Sequence, residues 1–476
     1  MNKLPKVSED FPGWYQAVVR EAGLAENGPA RGSQIIKPFG WSIWESIWRE
    51  LDDRFKATGH ENMMFPLLMP TKLFEAEAQH VEGFAPEVAV VTHGGGEELE
   101  EPLAIRPTSE ALIWDAYSRW IQSYRDLPLL YNQWCNVLRW EKRSRLFLRT
   151  SEFWWQEGHT AHASRQEAWE ETLRMLEVYR EVIEDVCAIP VYRGRKSPSE
   201  RFAGADETTT LEGMMRDTKA LQCCTSHFLG QNFSKAYNVQ YLNPDGEQEY
   251  AWGTSWGLST RSVGAVIMTH GDDKGLRLPY QVAPTQVVIV PIYRSDDERS
   301  TVMERADNVR NALVKDGIRV KIDDRDQFRP GYKFAEWELK GIPIRIELGP
   351  RDVGNDELIV ADRVTSEKSA VSTSVAVSGM ADVLKSSWQA LYDDATRFRD
   401  SNTYDFSTFE EIAEGIESKG GFWRGIWCGD ETCETKVTEA TKATIRTVPL
   451  DKEDPHGSCI VCGKAGEETA IWGRAY

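Results

Sequence analysis

Four cations fall within positions 142–149: Lys142, Arg143, Arg145 and Arg149. They stand out because the chain is acidic, with 56 Lys and Arg against 75 Asp and Glu and a formal charge of −19. Such a cluster suits a polyphosphate or the end of a nucleic acid, since guanidinium forks pair bidentately with phosphate oxygens. Ahead of it stand Arg139 and Glu141, two apart, and behind it Trp155, Glu157 and His159, spaced the same way. On strands each set lies on one face, so the unit reads as strand, basic loop, strand. A hairpin with a merely solvated charged face is the plain alternative. Against it, the face holds Arg, Glu, Trp, Glu and His, more aromatic than a wet surface requires.

Arg106-Pro107-Thr108-Ser109-Glu110 leads into an amphipathic stretch. Thr108 suits an N-cap and Glu110 the positive end of a helix dipole. Ala111 stands where a capping box needs an acid. The same hydroxyl and carboxylate also suit a small amine. Ser255 to Ala265 reads as a strand passing into a helix near Arg261, with Gly257 and Gly264 permitting close packing. An arginine at such a junction can face a phosphate, though the pattern alone is common. The last cluster is Cys428-x4-Cys433 with Cys459-x2-Cys462. Two pairs of thiolates suffice for a tetrahedral Zn2+ site and leave no position for a reactive water, so the site reads as structural. Four unrelated buried thiols are the alternative. Eight cysteines in 476 residues are too sparse for a disulfide scaffold, and Cys135 and Cys187 read as core.

Three modules in tandem are expected to position these groups: 1–283, 284–399 and 400–476. In the first, apolar spacing predicts helices over 42–56, 109–124 and 165–186, with strands over 134–140 and 151–159. Pro279 and Pro284 bracket a linker. Beyond it, strands at 286–292, 318–322 and 344–348 alternate with helices at 298–316 and 332–340, the rhythm of a compact α/β unit. The paired cysteines occupy the last module. A composition of 41% hydrophobic and 28% charged residues is globular. The acidity excludes a protein that coats nucleic acid through bulk charge, and leaves room for local basic contacts. Met1 to Tyr15 holds no apolar signal segment, and no run approaches the roughly 18 apolar residues of a membrane span. A cytoplasmic protein with no membrane partner is expected.

Taken in order and spacing, these motifs resemble those of class II aminoacyl-tRNA synthetases. Glu61-Asn62-Met63-Met64-Phe65-Pro66 looks like motif 1, Leu138-Arg139-Trp140-Glu141 through Phe153 like motif 2, and Gly257 to Arg261 like motif 3. Arg106 to Glu110, Trp154 to His159, Thr225 to Phe233 and His270 to Leu276 resemble the prolyl-tRNA synthetases, in their archaeal/eukaryotic-like form with a zinc-binding C-terminal domain. The resemblance implies an α+β and α/β multidomain fold. An antiparallel sheet flanked by helices would be followed by an α/β anticodon-binding domain and a small zinc-binding α+β domain. It implies a homodimer joined through motif 1. It also implies an enzyme that makes prolyl-adenylate and pyrophosphate from proline and ATP with Mg2+, then transfers proline to tRNA(Pro).

Residue by residue, the resemblance puts Thr108, Glu110, Arg139, Trp155, Glu157, His159, Thr225, His227 and Ser259 around proline. It puts Arg139, Glu141, Arg149, Phe153, Gln222, Thr225 and Arg261 around ATP, with Arg139 and Arg261 the catalytic cations. Glu338, Arg345 and Arg351 match anticodon-reading positions, and Cys428, Cys433, Cys459 and Cys462 the zinc ligands. Cys223-Cys224 departs from the small residues usual there. The chemistry is consistent with this assignment. Two anions must meet, so cations have to neutralise the charge developing on phosphorus. The secondary ammonium of proline needs acceptors, which Glu110 and Thr108 offer, and its ring needs an apolar wall such as Trp155. No inserted editing domain is expected between His159 and Gly257. A threonine-like relative would carry a Cys–His–His metal set in its pocket, and a non-catalytic paralogue would be expected to lose a motif arginine; neither pattern is present. The closing Tyr476 is expected to fold back towards the catalytic module.

Overall fold

The computed structural model describes residues 4–74, 88–451 and 457–476. The rest of the expected first and third modules, residues 1–3, 75–87 and 452–456, lies outside the described residues. Six antiparallel strands form the centre of the molecule. In spatial order they are Val191–Arg195, Glu207–Met214, Ala220–Gly230, Trp252–Ser259, Glu152–His162 and Leu129–Leu138. Glu61–Asn62 adds a parallel edge to the last of them.

Side chains alternate across this sheet, so one face can be apolar and the other polar. The apolar face meets three helices, Pro38–Ala57, Arg165–Glu181 and Arg261–His270, around Phe55, Tyr179, Trp256 and Val263. Pro38 begins the first of these with its ring at the N-terminal turn, where no amide donor is needed. Ser164 and Glu167 form a reciprocal capping box at the start of the second, and a wider turn over Val182–Val186 carries it to the predicted end. Gly158 faces Trp256 across the ladder; a Cβ there would sit 2.1 Å from the indole.

Around the polar face the structure corrects two expectations. The expected strand over 134–140 runs instead from Leu129 to Leu138, so Arg139 and Glu141 stand past its end and share no strand face. Thr108 is not the cap of the following helix, which spans Glu110–Trp120 with Ser109 at its cap position. Neither hydroxyl caps it, because both are drawn to carboxylates: Thr108 Oγ1 donates to Glu110 and Ser109 Oγ to Glu157.

The second unit is a five-stranded sheet. Val287–Pro291 lies between Val320–Ile322 and Ile344–Leu348 in parallel, and Glu357–Asp362 and Lys368–Ser372 follow antiparallel. All five residues of Val287–Pro291 are buried, as a parallel strand covered on both faces requires. It has its own core, built on Val302, Val309, Leu313, Ile346 and Leu384. The third unit packs helices Phe409–Lys419 and Glu431–Thr441 around Trp423, Trp427 and Trp472. Its strands do not stop at that unit. Thr444–Pro449 pairs with Val191–Arg195, through Val448–Arg195 and Pro449–Gly194, so one eleven-stranded sheet runs through both modules.

Candidate active site

On the polar face of the central sheet lies a cavity of about 250 Å³. Strand Glu152–His162 sends Phe153, Trp155, Glu157 and His159 into it at period two. Strand Ala220–Gly230 contributes Gln222, Thr225 and His227, and strand Trp252–Ser259 contributes Ser259 at its end. Thr108 and Glu110 enter from the helix start, Arg139 from the loop after its strand, and Arg261 from the first position of its helix. Twelve residues read from the sequence therefore meet in one place. Glu141 and Arg149 line an adjoining cavity of about 190 Å³, whose walls include Arg139, Phe153, Ser259 and Arg261. Glu200, Arg201, Phe202, Thr208 and Ser255 line the main cavity and were not anticipated. No local motif marks Glu200 to Phe202, which belong to the connection between two strands, whereas Ser255 opens the strand-to-helix stretch already singled out.

At one end the cavity is anionic, and the Glu157 carboxylate there is bonded at both oxygens. Glu157 accepts from Ser109 N at 3.1 Å and Gln133 Nε2 at 2.7 Å, and meets His159 Nε2 at 3.2 Å. Burial alone would raise its pKa, but His159, Ser109 and the charge of Arg106 hold it down at about 2. Burial likewise opposes a charge on His159, and the carboxylates of Glu157 and Glu110 overcome it and raise its pKa. His227 goes the other way, lowered to about 3 by burial and by the charges of His159 and Arg139. Its ring, bonded to Thr208 at 2.9 Å and Thr225 at 3.0 Å, is therefore neutral at pH 7. Glu110, Glu157 and His159 approach within 4.8 Å, as metal ligands would, yet Glu157 is already occupied by six protein groups.

The other end is cationic. Arg139 lies over Phe153 and Trp155 at 5.4 and 5.3 Å, with its Nε donating to Pro107 O at 3.0 Å. Arg261 Nε donates to Leu148 O at 3.1 Å. Burial lowers the pKa of both guanidinium groups, and for Arg261 the charges of Arg139 and Arg149 add to it. Three like charges converging around the two adjoining cavities create a strong local field for an anion. His159 Nδ1, Trp155 Nε1 and Ser255 Oγ are buried with no bonding partner among the described residues. Buried polar atoms seldom stay unpaired in a finished site, so this is the lining of a ligand cavity. Cys223 and Cys224 also line it; burial pushes the Cys223 thiol up to about 12 and raises that of Cys224.

A second cavity, of about 140 Å³, includes Glu338 and Arg345 in its walls. Glu338 pairs with Lys274 at 2.9 Å, and Arg345 pairs with Glu347 at 3.0 Å and lies over Phe334 at 4.5 Å. Arg351 sits apart, exposed on the short helix Pro350–Gly354. In the third unit the sulfurs of Cys428, Cys433, Cys459 and Cys462 all lie within 4.8 Å of one another. Cys428 is 3.7 Å from both Cys433 and Cys462. That is close to the edge of a tetrahedron whose metal–sulfur bonds are about 2.3 Å, so the donor set fits Zn2+. Cys135 and Cys187 are buried, as expected.

Residues 91–270 match the family model of the class II tRNA synthetase core domain of the G, H, P, S and T enzymes. Residues 286–386 match an anticodon binding domain, and 409–476 the C-terminal domain of prolyl-tRNA synthetase. The chain is 49% identical to the proline–tRNA ligase of Amoebophilus asiaticus, over 100% of this chain and 99% of the relative. It is 52% identical to that of Chloroflexus aggregans, over 98% of each. A crystal structure of prolyl-tRNA synthetase from Cryptosporidium parvum, complexed with halofuginone and AMPPNP, superposes with a TM-score of 0.94 at 37% identity. That match covers 99% of this chain and 96% of the other. The chain belongs to the prolyl-tRNA synthetases, class II enzymes that charge tRNA with proline.

Proposed function

We propose that the main cavity binds proline at its anionic end and the triphosphate of ATP at its cationic end. The observation that carries this reading is the convergence of Glu110, Glu157 and Thr108 with Arg139 and Arg261 in one cavity. The ammonium of proline donates to Glu110 and Thr108, and the pyrrolidine ring packs on Trp155. Glu157, His159, Thr225, His227 and Ser259 complete the proline end; Glu141, Arg149, Phe153, Gln222 and Thr225 hold ATP. A carboxylate oxygen of proline bonds to the α-phosphorus while the bond from that phosphorus to pyrophosphate breaks. Arg139 neutralises the charge gathering on the α-phosphate, and Arg261 holds the outer phosphates, with Mg2+ arriving on ATP. A hydroxyl of the tRNA's terminal ribose then attacks the prolyl carbonyl and expels AMP. The substrate carboxylate is the nucleophile, so no protein nucleophile is needed.

In the same reading, residues 1–283 are the catalytic unit, 284–399 the anticodon unit and 400–476 the zinc unit. Glu338, Arg345 and Arg351 read guanines of the anticodon in tRNA(Pro). Cys428, Cys433, Cys459 and Cys462 hold a structural Zn2+, which would tie the ends of the third unit together. The enzyme works as a homodimer, a reading supported by the exposed apolar side chains of Met64, Leu67 and Leu68 beside the motif 1 strand. Its place of action is the cytoplasm, where tRNA is charged; no described helix is long and apolar enough to cross a membrane. Proline-dependent ATP–pyrophosphate exchange tests the core of the proposal. Glu110→Ala should raise the KM for proline at least about tenfold in a folded protein. Unchanged proline kinetics would reduce Glu110 to a partner of the helix dipole.

A further inference from the structure

A buried charge cluster joins the third unit to the wall of the proline end. Lys196, Glu212 and Arg446 have side chains 1%, 0% and 7% exposed. Lys196 Nζ donates to Glu212 at 2.6 Å and to the Arg446 carbonyl at 3.0 Å. Arg446 reaches both Glu212 oxygens, at 3.2 and 3.3 Å, and approaches Glu200 at 3.5 Å. Glu200 is one of the residues lining the main cavity. Nearby, Ser197 Oγ donates at 2.7 Å to Glu434, the neighbour of Cys433. Two residues of the catalytic unit and one of the third unit thus share the cluster, with the pocket wall at its rim.

Burying ions is a poor way to gain stability, because the desolvation cost consumes most of the attraction. What such a cluster does supply is a unique arrangement, since any slip leaves a charge unpaired. Here the arrangement fixed is that of the connection running from Lys196 to Phe202. Its far end reaches the chemistry. Phe202 N donates to Thr208 Oγ1 at 3.1 Å, and the Phe202 ring lies 4.6 Å from the ring of His227. Thr208 in turn bonds His227 at 2.9 Å. The third unit also grips the strand that carries Gln222, through Arg474 O, which accepts from Ala220 N at 2.8 Å.

We propose that Arg446 is a positioning residue for proline: from the third unit it holds Glu200 and the 196–202 connection, and so shapes the amino-acid end of the cavity. It touches no substrate itself. The inference rests on proline occupying that end, and the Glu110→Ala variant tests that premise separately.

The test is Arg446→Gln in the full-length enzyme, assayed by ATP–pyrophosphate exchange with proline and ATP varied in turn. Gln keeps hydrogen-bonding capacity, and the Lys196–Glu212 pair remains to neutralise itself. The KM for proline should rise about fivefold to twentyfold, while the KM for ATP stays within about twofold. Arg446→Lys, which restores a charge without the fork, should recover part of the loss. Ser197→Ala, which removes one link and strands no buried cation, should raise the KM for proline about twofold to threefold. It decides the matter if Arg446→Gln does not fold. A folded Arg446→Gln enzyme with normal proline KM overturns the proposal, as does an equal rise in both KM values. If Glu110→Ala raises the KM for proline and the Arg446 and Ser197 variants do not, only this inference falls.

Discussion

The two cavities hold similar chemistry in different surroundings. In the catalytic cavity Glu157 and His159 are each 2% exposed, and every oxygen of Glu157 is bonded. At the second cavity Lys274 and Glu338 are 56% and 34% exposed, and Arg345 is 21% exposed. A buried charge that loses its partner cannot turn to water, so one substitution costs its full desolvation. An exposed pair exchanges its partner for solvent and loses little. The first cavity is therefore already set for its ligand, whereas the second has charged groups that can change partners, as the proposed anticodon contact requires. The difference makes quantitative expectations possible.

The largest effect belongs to the cations of the first cavity. Arg139→Gln should lower kcat/KM for exchange by about a hundredfold to a thousandfold, the usual loss when one group facing a developing anion is removed. Stability should change much less, because Arg139 makes one backbone bond and two ring contacts. If exchange falls by less than tenfold, the cationic end is not where charge develops, and the contrast between the cavities fails.

Glu157 gives the same contrast through pH. Its pKa in the folded protein, about 2, lies below its ordinary 4.5, so its contribution to stability is complete above 4.5 and is lost as pH falls from there towards 2. Glu157→Gln should lower the thermal midpoint near neutrality, and the gap from the parent protein should close as acid is added through that window. A gap that stays constant across it would mean that Glu157 has no depressed pKa.

Much of the catalytic cavity was legible because its signals are local. Trp155, Glu157 and His159 obey the two-residue period of a strand, and Arg261 begins a helix whose start is visible in the sequence. Arg139 lines the cavity from beyond its strand rather than from within it, since nothing local marks Leu138 as the strand's end. Composition favours Thr108 as a cap, whereas the buried carboxylates that claim its hydroxyl and that of Ser109 are decided by tertiary packing. The pairing of Thr444–Pro449 with Val191–Arg195 was not foreseen at all. Lys196, Glu212 and Arg446 are charged residues that a sequence reading assigns to the surface, and only long-range pairing buries them.

A smaller effect, and a selective one, is expected in the second cavity. Arg345 pairs with Glu347 and stacks on Phe334, which holds its fork in place for the guanine contact proposed for it. Losing a bidentate base contact costs about 1–3 kcal/mol, so Arg345→Ala should cut kcat/KM for tRNA roughly tenfold to a hundredfold. Exchange should hold, because the second unit has its own core. Discrimination between guanine and other bases in the anticodon should weaken in step. Equal losses in exchange and in charging would show that the two cavities are not separable.

The smallest effect should come from the chain's end, where the two kinds of setting meet. Tyr476 N donates to Ala220 O at 3.3 Å, two residues before Gln222 of the catalytic cavity. The Tyr476 ring lies 5.0 Å from Lys219 Nζ and 5.9 Å from the guanidinium of Arg145, in the basic loop over 142–149. Burial and the nearby carboxylate of Asp217 raise the phenol's pKa, so it stays protonated. The tail is thus docked on the catalytic unit rather than frayed, yet Tyr476 is not among the residues lining the main cavity. Its influence must pass through the strand and the loop it touches. Cation–ring contacts at partly exposed sites are worth about 0.5–1 kcal/mol each. Deleting Tyr476 should therefore slow exchange by about threefold to tenfold, leave the thermal midpoint nearly unchanged, and act more on ATP than on proline because Gln222 and Arg149 lie on that side. Normal exchange in the truncated enzyme would leave the docked tail without a catalytic role, and an effect confined to proline would move its influence to the opposite end of the cavity.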